Sequence, residues 1–311
     1  MSETSLPEEL RETMARAIRL EYWNIFWTLT VIGTMGLVLG QSQTMKTAWI
    51  EDSLGLVPPI MFLVAPHMEC NVQRSRRFPF GFERVNGLGF FVAAVALTAV
   101  GALLLYNALM ALATAEHATV GSIVILGHDI WLGWLMIAAQ IYSLIPPLLI
   151  GRKELPLARA LNDKLLHTDA LMNKANWLTG AAGLAGIVGL GLGWWWADAV
   201  AAAIISLDIL NDGIKALRSS TAELVDGAPR ALSSAELSQE AQNLCDRLKA
   251  EFPDATIRLR ETGRLIRAEV HHACPPPQPR HPRYYWPDDE DRAWRLAQVS
   301  FIPPMGENGK F

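Results

Sequence analysis

Long apolar segments separated by short polar ones fill the first two thirds of the sequence. The apolar segments are residues 22–40, 49–65, 85–113, 123–150, 165–192 and 197–217. A helix needs about 20 mostly apolar residues to cross the hydrocarbon core of a bilayer, and the segments are close to that length or longer. The pattern predicts an α-helical polytopic membrane protein with six transmembrane helices.

Polar residues mark the ends of several predicted spans. Residues 7–20 predict a short amphipathic helix on the cytosolic surface, ahead of the first span. Residues 67–85 and 152–164 form charged connections. Because proline removes a backbone donor and clashes with the preceding turn, Pro58 and Pro59 predict a kink within the second span.

The pattern changes after Pro229, which predicts a second unit. We expect residues 1–229 to form the six-helix transmembrane domain and residues 230–311 to form a small cytosolic α/β domain. The expected elements of this C-terminal domain are helices at 233–252 and 288–298 and strands at 256–260 and 265–271.

Composition agrees with a membrane protein and excludes several other classes. The chain has 311 residues, of which 51% are hydrophobic and only 19% are charged. The net charge of −4 gives no broad basic surface, so we expect no nucleic acid partner. The three cysteines form no CxxC pair, which argues against a cysteine zinc site. Charged residues throughout positions 1–20 predict that there is no cleavable signal peptide.

The distribution of lysine and arginine among the connections predicts the orientation. Connections 67–85 and 151–164 hold eight basic residues, whereas connections 41–48, 114–122 and 190–197 hold one. The eight are Arg74, Arg76, Arg77, Arg84, Arg152, Lys153, Arg159 and Lys164, and the one is Lys46. Positive connections stay in the cytosol, so both termini are expected there. We expect the protein to be in the cell (inner) membrane.

Polar side chains at the start of the fifth segment are the best candidates for a functional site. Asp169 and Asn173 are four residues apart, so on a helix they share one face and can contact one ligand. A carboxylate inside a bilayer normally faces other helices, water or an ion. His167 points elsewhere on a straight helix. The alternative is that these groups only cap the helix at the membrane surface. Asp208 and Asp212 are assigned to a solvated end of the sixth segment.

Several short stretches occur in an order and spacing that resemble a known family. They are Glu51-Asp52-Ser53-Leu54, Arg77-Phe78-Pro79-Phe80-Gly81-Phe82-Glu83-Arg84, Thr168-Asp169-Ala170-Leu171-Met172-Asn173, Ala197-Asp198-Ala199 and Leu224-Val225-Asp226-Gly227-Ala228-Pro229. Together with six spans and a helix–strand–strand tail, they resemble the cation diffusion facilitator (cation efflux) family of metal–proton antiporters. The resemblance covers residues 15–272.

The resemblance implies a metal site and a charge pair. Asp52 and Asp169 match one ligand in each of the two ligand pairs of the family, whereas the other two positions fall on Leu56 and Leu165. The remaining candidate ligands are His167 and Asn173. Carboxylate and amide oxygens suit Mn²⁺ or Fe²⁺ better than Zn²⁺, with Co²⁺ also open.

The family also implies a homodimer and a structural charge lock. Arg84 and Asp226 match positions that hold the protomers or the helix ends together. The expected partners are therefore a divalent cation and protons as the transported species, membrane lipid, and a second copy of the chain.

Three functions remain open from the sequence. The first is a transporter that exports a divalent cation in exchange for protons through an intramembrane carboxylate site. The second is a non-transporting relative that acts as a membrane scaffold or regulatory partner. The third, an intramembrane hydrolase using Asp52 and Asp169, lacks a suitable motif, so we expect no enzyme activity.

Overall fold

A computed structural model gives the architecture of the protein, which is mostly helical with a small C-terminal sheet. It describes residues 7–38, 52–71, 76, 78, 81–114, 122–125, 128–191, 196–234, 236–278, 280–287 and 290–303. The long helices are α1 (Glu8–Val38), α2 (Val57–Asn71), α3 (Val85–Ala113), α4 (Leu132–Leu161), α5 (Lys164–Gly191) and α6 (Ala197–Leu224).

Helix α1 joins two elements that the sequence pattern separated. The expected surface helix at 7–20 and the first span form one continuous helix of 31 residues. No glycine or proline lies between residues 8 and 32, and the segment is rich in Glu, Leu, Arg, Met and Ala. These residues favour a helix, so nothing breaks it at the predicted membrane surface.

The second predicted span is interrupted next to its proline pair, as the sequence predicted. Residues 52–54 are helical, residues 55–56 form a turn, and α2 starts at Val57. Pro58 and Pro59 therefore stand in the first turn of α2, where a backbone N–H has no partner to lose. A third proline, Pro66, does lie inside α2. Residues 49–51, predicted as the start of this span, lie outside the described residues.

The fourth predicted span differs at both ends. Strands β1 (Ser122–Ile125) and β2 (His128–Trp131) pair antiparallel where a helix was expected. The β-branched residues Ile123, Val124 and Ile125 favour a strand. Helix α4 then continues to Leu161, through residues that were assigned to a polar connection.

Small residues allow α3 and α6 to approach each other closely. A Cβ atom placed on Gly101 of α3 would lie 2.8 Å from Leu210 Cα, and one placed on Gly213 of α6 would lie 2.8 Å from Thr98 Cα. Side chains larger than hydrogen would force the helices apart, so the glycines determine this crossing. Among the described helices, only α3 has both the length and the apolar composition to cross a membrane.

The C-terminal unit contains α7 (Gln239–Glu251) and a three-stranded sheet in the order β3 (Thr256–Thr262), β4 (Leu265–His271) and β5 (Leu296–Ile302). Strands β3 and β4 are antiparallel, and β5 runs parallel to β4. The side chain of Ser238 caps α7 by accepting from the Ala241 amide at 3.1 Å, so the helix begins later than predicted.

The second predicted C-terminal helix is not an α-helix. Residues Glu290–Arg295 form a 3-10 helix, and the chain then enters β5. Leu296, which lies within the predicted helix, is buried in the core of the C-terminal unit with Ile266 and Leu244. Pairing with β4 and burial of this apolar side chain overrode the local helical pattern.

Candidate metal site

Helix α5 starts with a side-chain cap that determines where its polar residues lie. The Oδ1 atom of Asp163 accepts from the amides of Leu165 and Leu166, both at 3.0 Å. This cap satisfies two of the free donors at the start of the helix. Asp169 and Asn173 therefore lie in the second and third turns of α5 and on one face of it.

Three buried carboxylates from three helices meet beside this face. Glu21 of α1, Glu154 of α4 and Asp169 of α5 each offer an oxygen atom, and these atoms lie within 4.8 Å of one another. The side chains are between 0% and 1% exposed. We call these three residues the carboxylate cluster.

Two asparagines brace the cluster. Asn24, one turn after Glu21 on α1, donates from Nδ2 to Asp169 Oδ2 at 2.9 Å and to Glu154 Oε1 at 3.5 Å. Asn173 donates from Nδ2 to Glu154 Oε2 at 2.9 Å. These bonds connect α1, α4 and α5 through polar atoms only. Rotating either amide would turn its oxygen toward a cation.

The negative charge of the cluster is not balanced by a base among the described residues. None of the three carboxylates takes part in the ion pairs that lysine and arginine form there. Both oxygens of Glu21 and Oδ1 of Asp169 are buried without a hydrogen-bond partner in the same part of the chain. Buried carboxylates in this state require protons or a cation, because their charges repel and have lost their water.

A glycine brings α4 and α5 close enough to form the cluster. A Cβ atom placed on Gly151 would lie 3.0 Å from the Cβ of Asn173 and 3.5 Å from the carbonyl oxygen of Ala170. Gly151 is one turn before Glu154, so the two share a face of α4. The small residue therefore places the Glu154 carboxylate against α5.

The structure brings together only some of the site residues that the sequence predicted. Asp169 and Asn173 lie together at the cluster, as their spacing predicted. Asp52 is half-buried in a helical turn before α2 and is not one of the three grouped carboxylates. His167 is buried in the first turn of α5 and is not in the group of side chains that could hold an ion among the described residues. The roles of these residues as metal ligands stay predictions.

Glu21 and Glu154 were missed because sequence reasoning assigned them to polar surroundings. Glu21 fell between the surface helix predicted at 7–20 and the span predicted from Tyr22, and Glu154 fell within the charged connection. The available signal was the pair Glu21 and Asn24, two polar residues one turn apart where α1 becomes apolar. Leu165, at a ligand position of the family, is fully buried among apolar side chains.

Two acids of α6, Asp208 and Asp212, differ from the cluster in having a counter-charge. Lys174 Nζ of α5 lies 2.8 Å from Asp208 Oδ2 and 3.3 Å from Asp212 Oδ2. Both acids lie in the middle of α6, which continues to Leu224, rather than at the helix end that was predicted. Among the described residues they have a basic partner, which none of the three carboxylates of the cluster has.

The predicted charge pair is in contact within one protomer. The Arg84 guanidinium donates from Nη2 to Asp226 Oδ1 and from Nη1 to the Leu224 carbonyl oxygen at 3.3 Å. Arg84 directly precedes α3, and Leu224 ends α6. The pair therefore joins the ends of these two helices, and its role between protomers stays a prediction.

Comparison with known families identifies the class of protein. Residues 25–225, more than half of the 311-residue chain, match the family model described as the cation efflux transmembrane domain. The chain belongs to the cation efflux family of membrane proteins, which transport metal cations. The sequence resemblance is thereby confirmed. No curated protein matches the chain significantly.

Proposed function

We propose that the protein exports a divalent metal cation in exchange for protons and that the carboxylate cluster is its binding site. The observation that carries the proposal is the meeting of Glu21, Glu154 and Asp169, which are buried and have no counter-charge in the described part of the chain. Desolvating three carboxylates together is unfavourable unless a ligand offsets their charge. A divalent cation offsets most of it through direct bonds to oxygen.

The chemistry of the donors favours a hard cation. The cluster and its two asparagines offer only oxygen ligands, without a thiolate or an imidazole. Such sets suit Mn²⁺ or Fe²⁺, whereas Zn²⁺ sites are usually richer in sulfur and nitrogen. We therefore place Mn²⁺ or Fe²⁺ ahead of Co²⁺ and Zn²⁺ as the substrate.

Proton coupling follows from the use of one set of oxygen atoms for two ligands. A carboxylate must lose its proton before it can bind a metal ion, so protons and cation compete for the cluster. When the site opens to the more acidic side, protons displace the metal and are carried inward. Exchange of the metal ion for protons at the cluster then couples outward movement of the metal to inward movement of protons.

The position of the cluster along the helices supports loading from the cytosol. We propose that α1–α6 contain the six spans, which are shorter than the helices themselves, and that both termini are cytosolic. Asp169 is five residues from the start of α5, or about 7–8 Å along the axis. Glu154 is seven residues before the end of α4. The cluster therefore lies near the cytosolic ends of both helices.

Assembly and location complete the proposal. We propose a homodimer in the inner membrane. The alternative, a non-transporting scaffold, accounts less well for the cluster, because a structural role gives no reason to bury three acids without a base. Apolar residues of similar size would stabilise the same helix contacts better.

The test is metal flux in proteoliposomes that contain the purified full-length protein. With an acidic interior, Mn²⁺ should enter and protons should leave together. Asp169→Asn and Glu154→Gln keep the shape of each side chain and remove its charge, so both should abolish the coupled movement.

Asp208→Asn is the matched control for this flux experiment. It also removes an acid from the membrane domain, but this acid is paired with Lys174 outside the cluster. Transport should continue in this variant. Folded parent protein that moves no metal ion would favour the scaffold instead.

A further inference from the structure

The turn between α4 and α5 is attached to the C-terminal unit by a buried ion pair. Asp163 is fully buried, and its Oδ2 atom accepts from Nε of Arg264 at 2.7 Å and from Nδ2 of Asn86 at 3.2 Å. Arg264 lies between β3 and β4 and is only 8% exposed. Because Oδ1 of Asp163 caps α5, one carboxylate joins the helix, the C-terminal unit and α3.

A second buried ion pair reinforces this attachment. The ammonium of Lys164, the first residue of α5, contacts Glu261 of β3, and the two side chains are 4% and 2% exposed. Arg295 reaches the other carboxylate oxygen of Glu261 at 3.4 Å. Removing one partner of such a pair leaves a buried charge, so these contacts strongly resist separation.

The same turn controls two members of the carboxylate cluster. Only Asn162 and Asp163 separate α4 from α5, and Asn162 has a left-handed backbone with φ of 46°. Such a short and constrained turn moves the two helices as a pair. Holding Asp163 in place therefore fixes Glu154 and Asp169 together relative to Glu21 on α1.

We infer that Arg264 is a positioning residue for the metal site, acting from the C-terminal unit through Asp163. The inference rests on the proposed function, because it assigns Arg264 an effect on a cation bound at the cluster. Arg264 fixes the angle at which the α4–α5 pair meets α1. That angle decides whether the three carboxylates converge on one ion.

Binding of Mn²⁺ alone to the full-length protein in detergent, measured by calorimetry, tests this inference. Arg264→Gln should weaken binding about tenfold, as is usual when a residue that orients metal ligands is lost. Arg264→Lys keeps the positive charge and should recover part of the affinity. Affinity equal to that of the parent in Arg264→Gln would overturn the inference and leave the proposed function in place.

Arg267→Gln is the matched control. Arg267 lies on β4 and pairs with Glu83, in the turn before α3, so it also joins the C-terminal unit to the membrane domain. It does not contact α5 through this pair. The variant should lower the melting temperature while leaving Mn²⁺ affinity unchanged. An equal loss of affinity in both variants would mean that general docking, rather than Arg264, is responsible.

Hydrogen exchange provides a readout that does not depend on metal. The amides of residues 165–169 should exchange faster in Arg264→Gln than in the parent, because the capping carboxylate loses its anchor. Unchanged exchange there would overturn the inference. A parent that binds no Mn²⁺ would overturn the proposed function and, with it, the role of Arg264 in positioning a site.

Discussion

Glu21 receives less support from its surroundings than the other two carboxylates of the cluster. Glu154 accepts hydrogen bonds from Asn24 and Asn173, and Asp169 accepts one from Asn24. Neither oxygen of Glu21 accepts a hydrogen bond from a described residue. In the absence of a cation, the Glu21 carboxylate repels the other two carboxylates and gains little from its surroundings. Glu21 therefore lowers the stability of the metal-free protein, which points to a role in function.

Replacing Glu21 should therefore change stability in opposite directions with and without metal. Glu21→Gln should raise the melting temperature of the metal-free protein, because one of three repelling charges is removed. It should also weaken Mn²⁺ binding and reduce the stabilisation that added metal gives. Thermal melts with and without Mn²⁺ measure both effects. Glu12→Gln, an exposed change on the same helix, should alter neither.

Gly151 tests whether close approach of α4 and α5 is needed. The methyl group of Gly151→Ala would lie 3.0 Å from the Cβ of Asn173, so the helices must separate slightly. We expect a loss of about 1–3 kcal/mol in stability and weaker Mn²⁺ binding. The matched control is Gly33→Ala on α1, where an added Cβ has no described atom within 4 Å. That change should be neutral or stabilising, since alanine favours a helix.

At the scale of elements, the end of α6 is sensitive to pH. Glu223 lies beyond the predicted span 197–217 and accepts from the Gly263 amide at 2.9 Å. The pKa of Glu223 is raised to about 7, chiefly by burial; the nearby Glu261 and Asp163 carboxylates also act to raise this pKa, whereas Lys164 and the Gly263 amide act to lower it. The folded protein therefore holds this proton at a higher pH than the unfolded chain.

The raised pKa of Glu223 determines the direction in which the stability of the protein changes with pH. Between the ordinary pKa of 4.5 and the folded value of about 7, the folded state binds more protons, so stability falls as pH rises through this window. In Glu223→Gln the melting temperature should depend less on pH between about pH 5 and pH 7, which is roughly the interval between the two pKa values. Glu236→Gln, an exposed change in the same region, should leave the slope as it is. Parallel profiles for Glu223→Gln and the parent would contradict this account.

At the scale of the whole molecule, truncation after Pro229 tests the proposed domain boundary. All six long helices remain in residues 1–229, so the shortened protein should still insert into membranes. It should melt at a lower temperature, because Asp163 and Lys164 lose their C-terminal partners. Membrane fractionation and thermal melts measure the two outcomes. Failure to insert would place the boundary elsewhere.

The sequence predicted those features that depend on local pattern. Helix α3 has the predicted bounds of residues 85–113, because it is apolar throughout and ends in polar segments. The shared face of Asp169 and Asn173 follows from helix periodicity alone. The family resemblance followed from the order of short motifs.

Features that depend on contacts between distant residues were not predictable in the same way. Glu21 and Glu154 are 133 positions apart, and only the packing of α1 against α4 brings them together. Strand β5 forms because β4 offers a free edge, although residues 288–298 favour a helix locally. Their surroundings, rather than their own residue types, decide these outcomes.

Because three helices converge on the carboxylate cluster, a cation bound there under the proposed function also stabilises the packing of these helices. A cation held between α1, α4 and α5 replaces repulsion with bonds that tie the helices together. Any ligand that binds only the folded form increases stability with its concentration. The protein should therefore be degraded more slowly in cells rich in the metal ion and faster in cells depleted of it. Supply of the ion would then regulate the amount of the protein without a separate sensor.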